Sequence, residues 1–296
     1  MKRWIVVAVL TLLASIALYW SERHRVPNHV GPEAVLNAAA ETQKEVSHPV
    51  TQVVRFSDDE EIEIGNSMAA NYGHRLNENA DGPIEKYVNA VGRRVAAHAH
   101  RQFDYKFHYI SDVNFINAFA LPGGQIFIGK GLIALMDSED ELAGVLGHEI
   151  EHVDHYDCNE RVAIQARLQN LPLGELIQIP ISIFEAGYGK EQELEADRDG
   201  TALAVMAGYS PAGAVRMFQT FARLEREYIQ KAESPDEELS QVAIQTIEGY
   251  FRSHPAPEDR EHQIRSLIAS EKWPQPKEKP LKFHLAEPKP EVAKQQ

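Results

Sequence analysis

His148-Glu149-Ile150-Glu151-His152 is an H-E-x-x-H run, and two histidines at that spacing can share one partner only if the chain between them is helical. Residues four apart on a helix lie about 40° apart round the axis and one turn apart in height, so both imidazoles face one point. There they could hold a single Zn²⁺ at about 2.0–2.1 Å. Glu149 sits about 100° round from His148, close enough to reach a water in an open coordination position without being a ligand itself. The segment carries its own start signal. Ser138-Glu139-Asp140-Glu141 is a capping box, and the pattern predicts a helix from there to about Asp157. Leu142, Val145 and Leu146 make its first half apolar, so the histidine pair continues a buried face rather than a solvated one.

A catalytic zinc ordinarily has three protein ligands and one open position. One extended pattern, H-E-x-x-H-x-x-G-x-x-H, fails here: His155 stands at the glycine place and Cys158 at the final histidine place. Without a glycine to turn on, the helix is expected to run on. The other solution takes a carboxylate from a later helix. In Glu191-Gln-Glu193-Leu-Glu195-Ala-Asp197-Arg-Asp-Gly200, Glu193 and Asp197 are four apart and share a face. Glu193 could ligate while Asp197 accepts a hydrogen bond from a ligand imidazole and sets its tautomer. Taken alone, that stretch reads as a solvated acidic helix. Some forty residues after an H-E-x-x-H, it reads as the missing ligand. His155 reads as a supporting or core residue, and Cys158 as a bystander.

Composition narrows the alternatives. Thirty Lys and Arg against 44 Asp and Glu give a net charge of −14. No basic run exceeds two residues, which argues against a nucleic-acid binder. A single cysteine rules out an intrachain disulfide and any cysteine-based zinc or iron–sulfur cluster, while 13 histidines leave imidazole and carboxylate as the natural metal ligands.

The N-terminus points to a membrane. Lys2 and Arg3 precede an apolar run from Trp4 to Trp20 broken only by Thr11 and Ser15, about 25 Å as a helix and near the lower limit for spanning a bilayer. It reads as a retained anchor over residues 1–20, or as a signal peptide cut near Ser15-Ile-Ala17; either delivers the rest across a membrane. Residues 21–55 read as a polar linker, 56–270 as the folded domain, and 271–296, with five prolines and six lysines, as a disordered tail. Within the domain the patterns predict helices over 57–76, 84–100, 160–169, 189–207, 211–231, 239–250 and 257–270 besides the histidine helix. Residues 105–110 alternate as a strand, and 117–121, Pro122-Gly-Gly124 and 125–128 read as strand, turn and strand. The fold class is α+β, mainly helical, with a small antiparallel-edged sheet.

Four stretches in order, Asn117-Ala-Phe-Ala-Leu-Pro-Gly-Gly-Gln-Ile-Phe-Ile128, Gly147-His-Glu-Ile-Glu-His152, Glu193-Leu-Glu-Ala-Asp197-Arg-Asp-Gly200 and Ser253-His-Pro-Ala-Pro-Glu-Asp-Arg260, make the chain similar to metallopeptidase family forty-eight. These are gluzincins that include bacterial envelope proteases, mitochondrial relatives and prenyl endopeptidases. The resemblance implies a zincin-like fold, one Zn²⁺ per chain on His148, His152 and Glu193, and Glu149 as general base. It also implies that His254 stabilises the oxyanion or covers the zinc in a resting state. Asn117 and Ala118, on a strand with an exposed edge, could pair with an extended substrate backbone, and Arg260 could order its loop by pairing with a carboxylate. The expected function is a zinc metalloendopeptidase on the extracytoplasmic side of a membrane, the bacterial periplasm above all, acting on unfolded or misassembled envelope proteins. The competing expectation is a membrane-associated chaperone or assembly factor with a latent or structural zinc site.

Overall fold

The computed structural model describes residues 55–75, 82–185, 187–232 and 257–283. The expected anchor at 1–20, most of the linker, the expected helix at 239–250 and His254 lie outside the described residues. Among those described, no helix is long and apolar enough to cross a membrane.

Local chemistry sets most element boundaries. Ser57 opens α1 (Asp58–Arg75): its backbone N–H and hydroxyl both donate to Glu60, 2.9 and 2.8 Å away. Pro83 at the first helical position starts α2 (Pro83–Ala96), which buries Tyr87, Val88, Val91, Val95 and Ala96 as one face. Strands β1 (Lys106–Ile110), β2 (Ala118–Leu121) and β3 (Gln125–Gly129) follow, with the short helix α3 (Lys130–Ile133) after them. Then come α4 (Glu139–Asp154), α5 (Asp157–Leu168), α6 (Ser182–Glu185), α7 (Lys190–Met206), α8 (Ala212–Ala232) and α9 (Pro257–Ser270).

The sheet has the order β1-β3-β2, with β1 parallel to β3 and β2 antiparallel to it. β2 and β3 turn through a 3₁₀ segment, Pro122–Gly124, in which Gly123 takes φ 69°, a conformation glycine adopts without a Cβ penalty. Both faces of the sheet are covered. Ala118, Ala120, Ile126 and Ile128 point into a core shared with α2, α4, α7 and α8, while Phe119, Leu121 and Phe127 pack towards α1 and α6. Phe119 stacks on its register partner Phe127 with ring centroids 5.0 Å apart. β2 is thus an edge strand but not an exposed one: Asn117 is 8% and Ala118 3% exposed. The expected exposed edge is therefore not open to solvent at this end of the strand.

Two further expectations change. The histidine helix does not run on: α4 stops at Asp154, and Tyr156 takes a left-handed φ of 67° before α5 begins. Arg55 and Arg101 stack their guanidinium groups on the Tyr156 ring at 4.2 and 3.8 Å, contacts that offset the strain of a non-glycine residue there. The expected disordered tail is ordered through residue 283. Pro280 bridges Ser138, Leu281 is buried, and Phe283 packs edge-on against Tyr87 at 5.4 Å. The backbone of that tail is tied to the start of α4, since Lys279 N–H donates to Asp140 at 2.6 Å and Glu139 N–H donates to Lys279 O at 2.9 Å.

Candidate active site

α4 runs through the middle of the core, with Leu142, Leu146, Ile150 and Val153 fully buried. Its capping box is present as read: Glu141 N–H donates to Ser138 Oγ at 3.2 Å, and Ser138 N–H donates to the Glu141 carboxylate at 2.7 Å. α7 crosses α4 at two glycines. A Cβ on Gly147 would lie 2.4 Å from Gly200 O, and one on Gly200 would lie 2.5 Å from the Gly147 carbonyl carbon. Only two glycines allow backbones this close, and the crossing brings Glu193, seven residues before Gly200, to the histidines.

The result is a closed triangle of donor atoms. His148 Nε2 and His152 Nε2 stand 3.1 Å apart. Glu193 Oε2 lies 3.4 Å from the first, and its Oε1 3.7 Å from the second. Donors held at 2.0–2.1 Å from one tetrahedral ion are about 3.3–3.4 Å from each other, so the triangle has the size a metal requires. His148, His152 and Glu193 are buried and form a candidate metal site.

Each donor is held by a group outside the triangle. Asp197 Oδ1 accepts from His148 Nδ1 at 2.9 Å, and Asp157 Oδ2 accepts from His152 Nδ1 at 2.8 Å. Carboxylates only accept, so both rings carry the proton on Nδ1 and present Nε2 inward. Tyr188 N–H donates to Glu193 Oε1 at 2.8 Å, and the Tyr188 ring lies 4.1 Å from that of His152. Arg260 reaches in from α9 with a two-pronged bond to Asp197, both arms 2.6 Å. The electrostatics ask for positive charge. Burial opposes a charged His148 ring, yet Asp197 and Glu193 outweigh it and hold its pKa up at about 10. Burial likewise opposes a charged Asp197, but Arg260 and His148 keep its carboxyl below the usual range. Two imidazoles and a carboxylate in a field of this sign fit a divalent ion such as zinc.

Glu149 is 3% exposed and lines, with His148, a cavity also lined by Leu132, Met217, Phe218 and Phe221. Burial pushes its carboxyl above the usual range. Ala118 lines the same cavity, so the end of β2 lies beside the candidate metal site. The Asn117 side chain turns back instead, its Oδ1 accepting from Ala118 N–H at 3.0 Å.

The sequence profile of Peptidase family M48 matches residues 84–268. The chain belongs to that family. Its fold is the zincin-like arrangement of mostly helices with a small mixed sheet. A Vibrio cholerae protein assigned as a beta-barrel assembly-enhancing protease is 32% identical over 228 residues, covering 70% of this chain and 43% of that protein. Metalloprotease YcaL of Escherichia coli is 29% identical over 229 residues, 72% of this chain and 77% of that protein. Mitochondrial metalloendopeptidase OMA1 of Arabidopsis thaliana is 29% identical over 117 residues, 37% and 24% of the two chains. This chain therefore spans less than half of the Vibrio protein's length.

The structure brings together His148, Glu149, His152, Glu193, Asp197 and Arg260. Asp157 and Tyr188 were missed in the sequence. Residue i+5 on a continuous helix points about 140° away from residue i, so Asp157 reaches His152 only because α4 breaks at Tyr156. One signal was available: a ligand imidazole nearly always gives its second N–H to an acceptor, and His152 had none assigned. His155 does not approach His148; it meets Glu151 and Asp199 instead. Cys158 is fully buried between Ala120 O and the Tyr188 hydroxyl, and burial pushes its thiol pKa up, as suits a packed bystander.

Losing Asp157 frees the His152 ring to turn. Asp157→Ala is expected to weaken metal affinity by about 10–100-fold. Competition with a chromogenic chelator measures this, and unchanged affinity would remove Asp157 from the site.

Proposed function

We propose that the chain is a zinc metalloendopeptidase in which His148, His152 and Glu193 hold one Zn²⁺ and Glu149 is the general base. The observation that carries the reading is the triangle of two Nε2 atoms and one carboxylate beside a cavity that Glu149 lines. When bound, zinc supplies a Lewis acid that polarises the scissile carbonyl and makes water more acidic. Glu149 takes the proton of the attacking water and passes it to the leaving amine. Asp197 and Asp157 keep the two rings aimed, and Arg260 keeps Asp197 charged and in place. The edge backbone at Ala118 and the Asn117 side chain are assigned the main chain of an extended substrate once the cavity opens, with recognition indifferent to most side chains. His254, on the segment before α9, is assigned the stabilisation of the oxyanion or the cover of the metal at rest.

The substrates proposed are unfolded or misassembled envelope proteins, met on the extracytoplasmic side of a membrane to which residues 1–20 attach the enzyme. Support comes from the apolar N-terminal run and from relatives named as beta-barrel assembly-enhancing proteases. The cavity beside Glu149 speaks against a purely structural metal, which would be closed in by protein ligands.

The full chain is tested on an outer-membrane β-barrel protein presented unfolded and, in parallel, folded. Cleavage of the unfolded form, lost on chelation and restored by zinc, is expected. The apolar wall formed by Leu132, Met217 and Phe218 predicts a large apolar side chain beside the cut bond, read from the product termini by mass spectrometry. No cleavage of either form, or cleavage that survives chelation, overturns the proposal.

A further inference from the structure

A second set of metal-binding side chains lies apart from the first. Glu151, on the last turn of α4, His155, at its C-terminal cap, and Asp199 of α7 each place a donor atom within 4.8 Å of the other two. His155 Nε2 is 3.1 Å from Glu151 Oε2 and 3.2 Å from Asp199 Oδ2. Charge-assisted N–H···O bonds are shorter, about 2.7–2.9 Å. The separations here fall between that range and the ~3.4 Å between donors that share one ion, near the shortest edge of the first triangle, 3.1 Å.

The side chain of Glu151 supplies the independent sign of a ligand. It is 1% exposed, and its Oε2, which faces His155, makes no hydrogen bond among the described residues. A carboxylate oxygen withdrawn from water, with an imidazole nitrogen 3.1 Å away but no aligned hydrogen bond, is costly, and native structures rarely leave one so. Asp199 is prepared in the opposite way. Arg198 grips both its oxygens at 2.7 Å, fixing the carboxylate plane, while Oδ2 retains a second lone pair on the His155 side. His155 and Asp199 are about one-third exposed, 29% and 33%, so water can complete the coordination.

We propose that Glu151, His155 and Asp199 bind a second divalent cation, which ties the end of α4 to α7 behind the first metal site. One imidazole with two carboxylates suits a borderline ion such as Zn²⁺; calcium prefers an all-oxygen shell. The ion gives the buried Glu151 oxygen a directed bond in place of the misaligned contact with His155. It also clamps together the two helices that carry His152 and Asp197, one residue from the first and two from the second in the chain. Binding is weaker than at the first triangle, because among the described residues His155 Nδ1 has no acceptor to orient the ring. The proposal does not rest on the peptidase reading, since its readout is a count of bound ions.

The test dialyses the full chain to equilibrium against excess Zn²⁺ and measures metal per protein by atomic spectroscopy. About two ions per chain are expected, falling to about one in His155→Ala and in Asp199→Asn, with peptide cleavage retained in both. Glu193→Gln also falls to about one, but with cleavage lost, which separates the two sites. Asp199→Asn is nearly isosteric, so it decides the matter should His155→Ala fold poorly by circular dichroism. A parent chain that binds about one ion overturns the proposal. So does a higher count that neither variant lowers, which would mark adventitious zinc on surface histidines.

Discussion

Glu149→Gln is expected to lower kcat/KM for an unfolded substrate by about 10²–10⁴-fold while the chain still binds its metal. Glu149 stands outside the triangle of ligands, so the swap removes no donor. It is 3% exposed and packed along the cavity, and glutamine has nearly its shape, so the packing survives. What disappears is the one group placed to accept the water proton. Burial raises the Glu149 carboxyl pKa, which brings it nearer the operating pH and makes it a better base than an exposed glutamate. Metal content and kcat/KM measured on the same preparation separate the two effects. Activity within about tenfold of the parent, or a parallel loss of metal, would show that Glu149 does something else.

Gly200→Val is expected to destabilise the fold and strip the metal site together. A Cβ at 200 meets the Gly147 carbonyl carbon and His148 N at 2.5 Å, both backbone atoms in a buried helix that cannot rotate aside. Two effects compete. Replacing a helical glycine with alanine ordinarily gains about 0.5–1 kcal/mol, whereas forcing volume into a packed contact costs about 1–3 kcal/mol, occasionally more. Backbone against backbone lies at the costly end, and valine adds two methyl groups, so the net sign is destabilising. α7 must move off α4 to relieve the clash, and Glu193 travels with it. Urea unfolding should show a lower midpoint, and metal titration a weakened first site. A valine variant with the parent's midpoint and affinity would mean that the two glycines do not set the position of Glu193.

Much of this site is readable in the chain because its parts are local. Four-residue spacing on a helix is a geometric statement about two side chains, so His148 and His152 face one point wherever that helix packs. The same spacing makes Glu193 and Asp197 neighbours on α7. The capping boxes at Ser57 and Ser138, and the Pro-Gly-Gly turn between β2 and β3, are closed by hydrogen bonds or φ angles within a few residues. The apolar face of α2 is equally local in origin.

The differences all involve partners distant in sequence. The break after Asp154 depends on Arg55 and Arg101, which stack on Tyr156 from other parts of the fold and make a left-handed tyrosine tolerable. Because the helix breaks there, Asp157 can turn back to His152, an acceptor that no periodic pattern reveals. The stretch after Ser270 is rich in proline and lysine, yet Leu281 is buried in the main core and Phe283 packs on Tyr87 of α2. A composition average cannot register two anchoring side chains. β2 looked like a free edge because alternation in a strand says which residues share a face, not whether anything covers it.

By itself the amino-acid sequence determined the long helices of the described residues, the facing of the two imidazoles and the presence of a carboxylate at the right spacing on a later helix. Only the tertiary structure decided that the carboxylate arrives, through the glycine crossing of α4 and α7, and that Asp157, Asp197, Tyr188 and Arg260 hold the donors in place. The physical reason is range. Hydrogen bonds and side-chain periodicity within one helix are set over a few residues, whereas a metal triangle needs donors from separate helices fixed to within a few tenths of an ångström, which core packing alone provides.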